Sequence, residues 1–128
     1  MRRILVLENY LPTSQGLALV LQRAGCEVEL VATEREALAA LAHRAYGMLL
    51  IDLDIPTGDG WRVLEALQAT PRVVPIVAML ESGDSRQRHA QALGVRIVLP
   101  KPVRKAALLA ALFAILGDPD GQRGVVAV

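Results

Sequence analysis

Two carboxylates near the middle of the chain directly follow a short apolar segment. Met48–Ile51 is apolar throughout, Asp52 and Asp54 come next, and Pro56 and Gly58 then interrupt the chain. A continuous apolar run bounded by turn-forming residues predicts a strand buried on both faces of a parallel sheet. Such sheets bind ligands at the carboxyl ends of their strands. Asp52 is therefore a candidate nucleophile or metal ligand, although a single aspartate there is more commonly a solvated loop residue or a helix cap.

Polar residues also follow two other apolar runs. Glu8 and Asn9 come after Ile4–Leu7, and Lys101 comes after Arg96–Leu99. Because parallel strands end at one edge of their sheet, we expect these side chains to lie close to the two aspartates. Carboxylate and amide oxygens suit Mg²⁺, and a lysine ammonium can neutralise a neighbouring anion. These residues therefore predict a site for a hard cation and a phosphoryl group at this edge of the sheet. Considered alone, Lys101 could equally be a solvated loop residue.

Apolar runs alternate with helix-forming segments five times along the chain. The predicted strands are Ile4–Leu7, Glu27–Ala32, Met48–Ile51, Ile76–Leu80 and Arg96–Leu99. The predicted helices begin at Pro12–Ser14, at a capping box in Thr33–Glu36, near Trp61, at Asp84 or Ser85, and near Val103. This alternation indicates parallel βαβ units with right-handed crossovers. We therefore predict a doubly wound α/β fold with five parallel strands and helices on both faces, in a domain over residues 1–117 with a tail or linker stub at 118–128.

The composition indicates a folded domain of ordinary size. The chain has 128 residues, of which 53% are hydrophobic and 21% charged, and its net charge is +1. This small charge argues against strong electrostatic binding to nucleic acid or membranes. The single cysteine, Cys26, excludes an internal disulfide and fits a reducing compartment, and no apolar stretch has the length of a membrane span. We expect a cytoplasmic protein without direct membrane or nucleic-acid contacts.

The strand-end motifs make the sequence similar to the receiver domains of two-component response regulators. The segments that carry this resemblance are ILVLEN (4–9), DLDIPTGDG (52–60), PIVAML (75–80) and LPKP (99–102). The resemblance covers nearly the whole chain and implies a flavodoxin-like (βα)₅ fold. It implies that Asp52 accepts a phosphoryl group from a histidine kinase or phosphotransfer protein and that Lys101 pairs with it. It also implies that Glu8 and Asn9 occupy the acidic-pair positions of a Mg²⁺ site and that the backbone carbonyl of Asp54 faces the metal.

Several residues depart from the family pattern. Asn9 replaces a charged metal ligand, so we expect weak Mg²⁺ binding. Leu80 stands where the family has Thr or Ser and cannot donate a hydrogen bond to a phosphoryl oxygen, and Val98 stands at the aromatic switch position without a ring. Glu81 follows where the family has a small residue, and its charge would repel a phosphoryl group. These departures predict a phosphoacceptor with a degenerate switch.

Three hypotheses for the function remain open at this stage. The first is a non-enzymatic receiver, in which the last two helices, with the apolar run 106–113 and basic neighbours, form a homodimer or output-partner surface. The second is a pseudo-receiver that acts through protein contacts without phosphorylation. The third is a small doubly wound hydrolase or nucleotide-binding protein, which is disfavoured because the sequence has no P-loop and no Gly-x-Gly-x-x-Gly motif.

Overall fold

The computed structural model describes residues 2–70, 73–81, 83 and 85–117, and it confirms the predicted five-stranded parallel sheet. The strands are β1 (Arg3–Leu7), β2 (Glu27–Val31), β3 (Met48–Asp52), β4 (Ile76–Glu81) and β5 (Ile97–Lys101). The helices are α1 (Leu11–Arg23), α2 (Glu34–His43), α3 (Asp59–Gln68), α4 (Gln87–Ala92) and α5 (Lys105–Leu116). The strand order is β2-β1-β3-β4-β5, and each neighbouring pair is parallel. The predicted tail at 118–128 lies outside the described residues.

The sheet is covered on both faces, as the unbroken apolar strands predict. Helices α1 and α5 cover one face, and helices α2, α3 and α4 cover the other. Successive residues of a strand contribute to opposite faces, so Met48 and Leu50 pack with α1 and α5 whereas Leu49 and Ile51 pack with α2 and α3. All five residues of β3, Asp52 included, are buried, which confirms the predicted strand buried on both faces.

The first and third helices begin earlier than the sequence predicts. Helix α1 begins at Leu11, because proline is tolerated in the first turn and Ser14 does not cap the helix. The Ser14 hydroxyl instead donates to the carbonyl of Leu11 at 3.0 Å. Helix α3 begins at Asp59, two residues before Trp61, after Gly58 takes a left-handed conformation with φ of 81°.

The fourth and fifth helices begin later than predicted. Helix α4 begins at Gln87, after a turn that includes Ser85, and its cap residue Arg86 provides no capping side-chain bond. The predicted cap at Asp84 lies outside the described residues. Helix α5 begins at Lys105 and not near Val103, because the residue before the helix has extended backbone angles of −86° and 144°. A side-chain cap is therefore not what fixes the start of either helix.

The predicted start of α2 is confirmed, with Thr33 as the cap residue. The Thr33 hydroxyl oxygen accepts from the amide of Glu36 at 3.1 Å, and the Glu36 carboxylate accepts from the amide of Ala32 at 3.0 Å. The Thr33 hydroxyl thereby satisfies one amide of the first helical turn, and the Glu36 carboxylate ties the preceding residue to the helix.

Asp59 connects the beginnings of α2 and α3. Its carboxylate accepts from the hydroxyl of Thr57, from the amide of Glu34 at 2.7 Å and from Arg62 at 3.0 Å. The bond from Thr57 and the bond from the Glu34 amide lower the pKa of Asp59. This carboxylate therefore holds the loop that carries Asp54 against its neighbouring helix.

Gly60 allows α3 to approach the end of β3. A Cβ atom at Gly60 would lie 2.3 Å from the backbone oxygen of Asp52. Real Cβ atoms do not come so close to backbone, so the helix and the strand end can keep this spacing only with glycine. Gly16 in α1 is different, because a Cβ atom there would meet nothing within 4 Å.

We expect opposite effects from alanine at these two glycines. Gly60→Ala should lower the free energy of unfolding by about 2–4 kcal/mol, because the helix must move away from the strand end. Gly16→Ala should raise it by about 0.5–1 kcal/mol, because alanine favours an exposed helix position. Urea unfolding followed by circular dichroism measures both. Equal effects of the two substitutions would contradict the close approach of α3 to β3.

Candidate functional site

Four of the predicted site residues meet at the carboxyl edge of the sheet. Glu8 follows β1, Asp52 is the last residue of β3, Asp54 lies in the next loop, and Lys101 is the last residue of β5. The Lys101 ammonium lies 2.7 Å from Asp52 Oδ1 and 3.2 Å from Asp54 Oδ2. One cation is therefore shared by two carboxylates, and the predicted convergence of the strand ends is present.

Asp52 is buried although it is charged. Only 4% of the residue is exposed, and its Oδ1 also accepts from the amide of Asp54 at 2.8 Å. Burial alone would raise the pKa of Asp52, but hydrogen bonds with Glu8 and Lys101 and from the Asp54 amide hold that pKa below its usual value. The carboxylate is therefore kept ionised, which is the form that can act as a nucleophile or bind a cation.

Glu8 is the second buried acid of the site. Its carboxylate accepts from the amide of Tyr10 at 3.2 Å and lies within hydrogen-bonding reach of Asp52. Burial, followed by the hydrogen bond with Asp52 and repulsion from its charge, raises the pKa of Glu8 to about 7. The carboxyl groups of Glu8 and Asp52 therefore share a proton over much of the acidic pH range. Asn9, the residue after Glu8, is exposed.

Asp54 makes side-chain contacts that the sequence did not predict. Its Oδ2 accepts from the backbone amide of Glu81 at 2.9 Å, and its Oδ1 accepts from Arg86 at 2.9 Å. The family resemblance implied a role for Asp54 only through its backbone carbonyl. No local signal could reveal these bonds, because they join residues 27 and 32 positions apart.

Arg86 also lies against the aromatic side chain of α3. Its guanidinium carbon is 5.7 Å from the centre of the Trp61 ring, and the same ring stacks on His89 at 5.2 Å. The Trp61 indole donates to the carbonyl of Leu53 at 2.9 Å. The half-buried Trp61 thus packs against the core and also adjoins the loop that carries Asp54.

The Leu80 side chain does not face the site. It is buried in the apolar cluster between the sheet and α2–α4, and Val98 packs against the same cluster. Only the backbone that follows Leu80 reaches the edge, where the amide of Glu81 donates to Asp54. Leucine at this position therefore contributes to the core and adds no donor to the site.

The donors at this edge suit a magnesium ion. Mg²⁺ is held by one or two carboxylates and retains several water molecules. Glu8 and Asp52 are two buried carboxylates in contact, and the backbone carbonyl of Asp54 and the side chain of Asn9 lie in the adjoining loops. Within the described part of the chain, no group of three or more His, Cys, Asp and Glu side chains is arranged as a metal site. The edge therefore fits a hydrated Mg²⁺ better than an ion enclosed by protein ligands.

The comparisons with known proteins identify the family. The family described as response regulator receiver domain matches residues 4–113. The chain belongs to this family. Its fold is the flavodoxin-like fold that receiver domains of two-component systems share. The predicted resemblance is thereby confirmed.

Similar proteins share the domain at moderate identity. The transcriptional regulatory protein PcoR of Escherichia coli is 26% identical over 127 residues, which cover 98% of this chain and 56% of PcoR. The chemotaxis response regulator CheY4 of Vibrio cholerae superposes with a TM-score of 0.81 at 26% identity, covering 91% of this chain and 99% of CheY4. The receiver domain of a sensor histidine kinase from Pseudomonas aeruginosa PAO1 has the same TM-score of 0.81 at 26% identity, covers 91% of this chain and 98% of that one, and holds a magnesium ion in its active-site cleft.

The share of the matched protein that this chain spans is smaller for the curated relatives than for the isolated receiver structures. The chain spans about half the length of the curated relatives PcoR and HprR, which it matches at 56% and 51% of their lengths. It spans nearly the whole of the isolated receiver structures. No helix in the described ranges is both long enough and apolar enough to cross a membrane.

We expect Lys101→Met to destabilise the protein in a pH-dependent way. At pH 7 without magnesium, the free energy of unfolding should fall by about 1–3 kcal/mol, because the carboxylates of Asp52 and Asp54 lose a shared cation. The folded-state pKa of Asp52 is lowered, so the stability that its charge contributes is present above the ordinary aspartate pKa and is lost as the pH falls through the folded value. The difference between the variants should therefore shrink towards pH 3.

Urea unfolding at both pH values measures this difference. Lys105→Met is the matched control, because Lys105 is exposed on α5 and its removal should change stability by less than about 0.5 kcal/mol. A Lys101→Met effect of the same size at both pH values would show that the lysine acts through packing and not through its charge.

Proposed function

We propose that this receiver domain accepts a phosphoryl group on Asp52 from the phosphohistidine of a histidine kinase or phosphotransfer protein. The observation that carries the proposal is the buried, ionised carboxylate of Asp52 with the Lys101 ammonium at 2.7 Å, at the strand-end edge of a receiver fold. A carboxylate held in this way is a nucleophile, and the lysine is placed to stabilise negative charge that arrives on it.

In the proposed reaction, one Asp52 oxygen forms a bond to phosphorus as the bond from phosphorus to the histidine nitrogen breaks. The departing imidazole takes up a proton, and Asp52 becomes an acyl phosphate. Lys101 keeps its proton and moves its hydrogen bond from the carboxylate towards the phosphoryl oxygens. Asp52 is modified and later returned to its free form in a signalling cycle. We propose no separate enzymatic activity for the domain.

Magnesium is the proposed cofactor, held by Glu8, Asn9 and Asp52 together with the backbone carbonyl of Asp54. Such an ion would offset the charge of the phosphoryl oxygens when bound. Asp52 supplies a charged oxygen, Glu8 supplies a second one when its proton leaves, and Asn9 supplies a neutral one. This donor set supports weak binding, because affinity depends on the number of charged ligands. The magnesium in the Pseudomonas aeruginosa receiver supports the choice of metal.

We propose that the conformational switch is degenerate. Leu80 is buried in the core and offers no hydroxyl to a phosphoryl oxygen, and Val98 has no ring to move into vacated space. A ligand shifts an equilibrium only by its differential affinity for the two states, so the loss of this bond reduces the bias that phosphorylation can supply. The expected response is confined to the loops around Asp52 and Lys101.

A pseudo-receiver is the second candidate function, and the same two residues favour it. A domain that cannot transmit phosphorylation through Leu80 and Val98 can still act by constant protein contacts. In that case the pair of Asp52 and Lys101 is a structural ion pair, and the partner surface alone carries the function.

The proposed partner surface lies on the last two helices of a cytoplasmic domain over residues 1–117. Leu109 and Phe113 of α5 are half-buried, so part of each side chain is available to a homodimer or an output partner. Exposed Arg88, Arg104 and Lys105 add positive charge on this side. The small net charge of +1 supports a protein partner over nucleic acid or membrane.

A small phosphodonor, such as acetyl phosphate, tests the acceptor directly. In magnesium buffer, intact-protein mass spectrometry should show one added phosphoryl group on the wild-type chain and none on Asp52→Asn. Amide NMR spectra of the loaded protein should then change only around Asp52 and Lys101. Equal labelling of both proteins would assign the acceptor elsewhere, and absence of labelling on the wild type would favour the pseudo-receiver.

Asn9→Asp should strengthen magnesium binding. The substitution adds one charged ligand beside Glu8, so the dissociation constant should fall by roughly three- to tenfold from a millimolar wild-type value. Trp61 fluorescence or amide shifts can follow the titration. Gln22→Glu is the control, because it adds the same charge at the far end of α1. Tight wild-type binding that Asn9→Asp does not improve would contradict the proposed ligand set.

A further inference from the structure

The two oxygens of Asp54 have separate partners. Oδ2 accepts from the backbone amide of Glu81 at 2.9 Å and lies 3.2 Å from the Lys101 ammonium. Oδ1 accepts from Arg86 at 2.9 Å. One oxygen therefore occupies donors at the strand ends, and the other anchors the side chain to the loop before α4.

The donors bonded to Oδ2 lie where an anion attached to Asp52 would need them. Lys101 contacts both Asp52 Oδ1 and Asp54 Oδ2, so its ammonium lies between the two carboxylates. Glu81 is the register partner of Lys101 in the pairing of β4 with β5, which places its amide at the same edge. An anion attached to Asp52 would find these donors already bonded to Asp54. It would also be repelled by the negative charge of the Asp54 carboxylate.

We propose that the Asp54 carboxylate is a built-in competitor, which occupies the anion-binding donors beside Asp52 and must leave them before a phosphate-like anion can bind. This regulatory role rests on the proposed function where it concerns phosphoryl transfer to Asp52. The occupancy of the donors is a property of the folded chain itself.

Arg86 determines where the displaced carboxylate goes. Its guanidinium packs over Trp61 and bonds Oδ1, the oxygen that does not occupy the donors. Asp54 can therefore release the amide of Glu81 and the ammonium of Lys101 while it stays paired with a cation. The opening of the site then needs a side-chain rotation and no movement of the sheet.

Titration with inorganic phosphate at pH 7, in the absence of magnesium, tests the proposal without any covalent chemistry. The reporters are the Glu81 amide in NMR spectra and Trp61 fluorescence. Asp54→Ala should bind phosphate about tenfold more tightly than the wild type, because it frees hydrogen bonds to a charged group. Asp54→Asn should gain less, because its amide oxygen still accepts from Glu81.

Glu81→Gln is the matched control for charge. It removes one negative charge next to the same amide but leaves Oδ2 of Asp54 on the donors, so its gain should be smaller than that of either Asp54 variant. Circular dichroism confirms that each variant is folded. The proposal would be overturned if the wild type and both Asp54 variants bound phosphate with equal affinity. It would also be overturned if Glu81→Gln gained as much phosphate affinity as the Asp54 variants.

Labelling with acetyl phosphate, measured on the same variants, separates this proposal from the proposed function. If Asp54→Ala gains phosphate affinity and labels faster than the wild type, both stand. If it gains phosphate affinity while no variant is labelled on Asp52, the competitor stands and phosphoacceptance fails. If Asp52 is labelled at the same rate in all variants and phosphate affinity is unchanged, phosphoacceptance stands and the competitor fails.

Discussion

The Lys101 ammonium is the interaction on which the strand-end site depends. Asp52, Asp54 and Glu8 gather at one edge, and buried carboxylates of like charge repel one another strongly. Lys101 lies within 3.2 Å of oxygens from both aspartates, and Glu8 relieves the remaining repulsion by holding its proton up to about pH 7. One shared cation and one shared proton therefore offset the negative charge that three carboxyl groups bring to this edge.

The sheet makes this arrangement possible because it is rigid at its centre. Strand β3 is completely buried, and Gly60 lets α3 approach the backbone oxygen of Asp52 closely. The Asp52 carboxylate therefore lies at the end of a completely buried strand. The groups around it, Asp54 and Arg86, belong to loops and can move without disturbing the core. A buried Asp52 beside neighbours that lie in loops is the arrangement that the proposed competition by Asp54 requires.

Most of the fold follows from local patterns in the sequence. The apolar run Met48–Ile51 predicts a strand buried on both faces, and the Thr33–Glu36 motif predicts a helix start. The structure confirms both. The starts of α4 and α5 could not be predicted in the same way, because neither has a side-chain cap to mark it.

Some features of the site could likewise be predicted from local sequence patterns, and others depend on contacts between distant residues. The convergence of Asp52 and Lys101 is predictable because both end parallel strands of one sheet. The bonds of Asp54 to Arg86 and to the Glu81 amide are not, because Glu81 ends β4 and Arg86 precedes α4, and no local sequence pattern places either of them beside Asp54. The burial of Leu80 in the core explains why its replacement of a hydroxyl residue leaves the fold intact.

Carbon-13 NMR titration of the side-chain carboxyl groups, in magnesium-free buffer, tests the shared cation and proton most directly. We expect Glu8 to titrate near pH 7 and Asp52 to titrate below the usual range of an aspartate. Each carbonyl resonance should also sense the other group, since the two are coupled. A Glu8 carboxyl that titrates like an exposed glutamate, with an Asp52 carboxyl at its ordinary pKa, would contradict this view of the site.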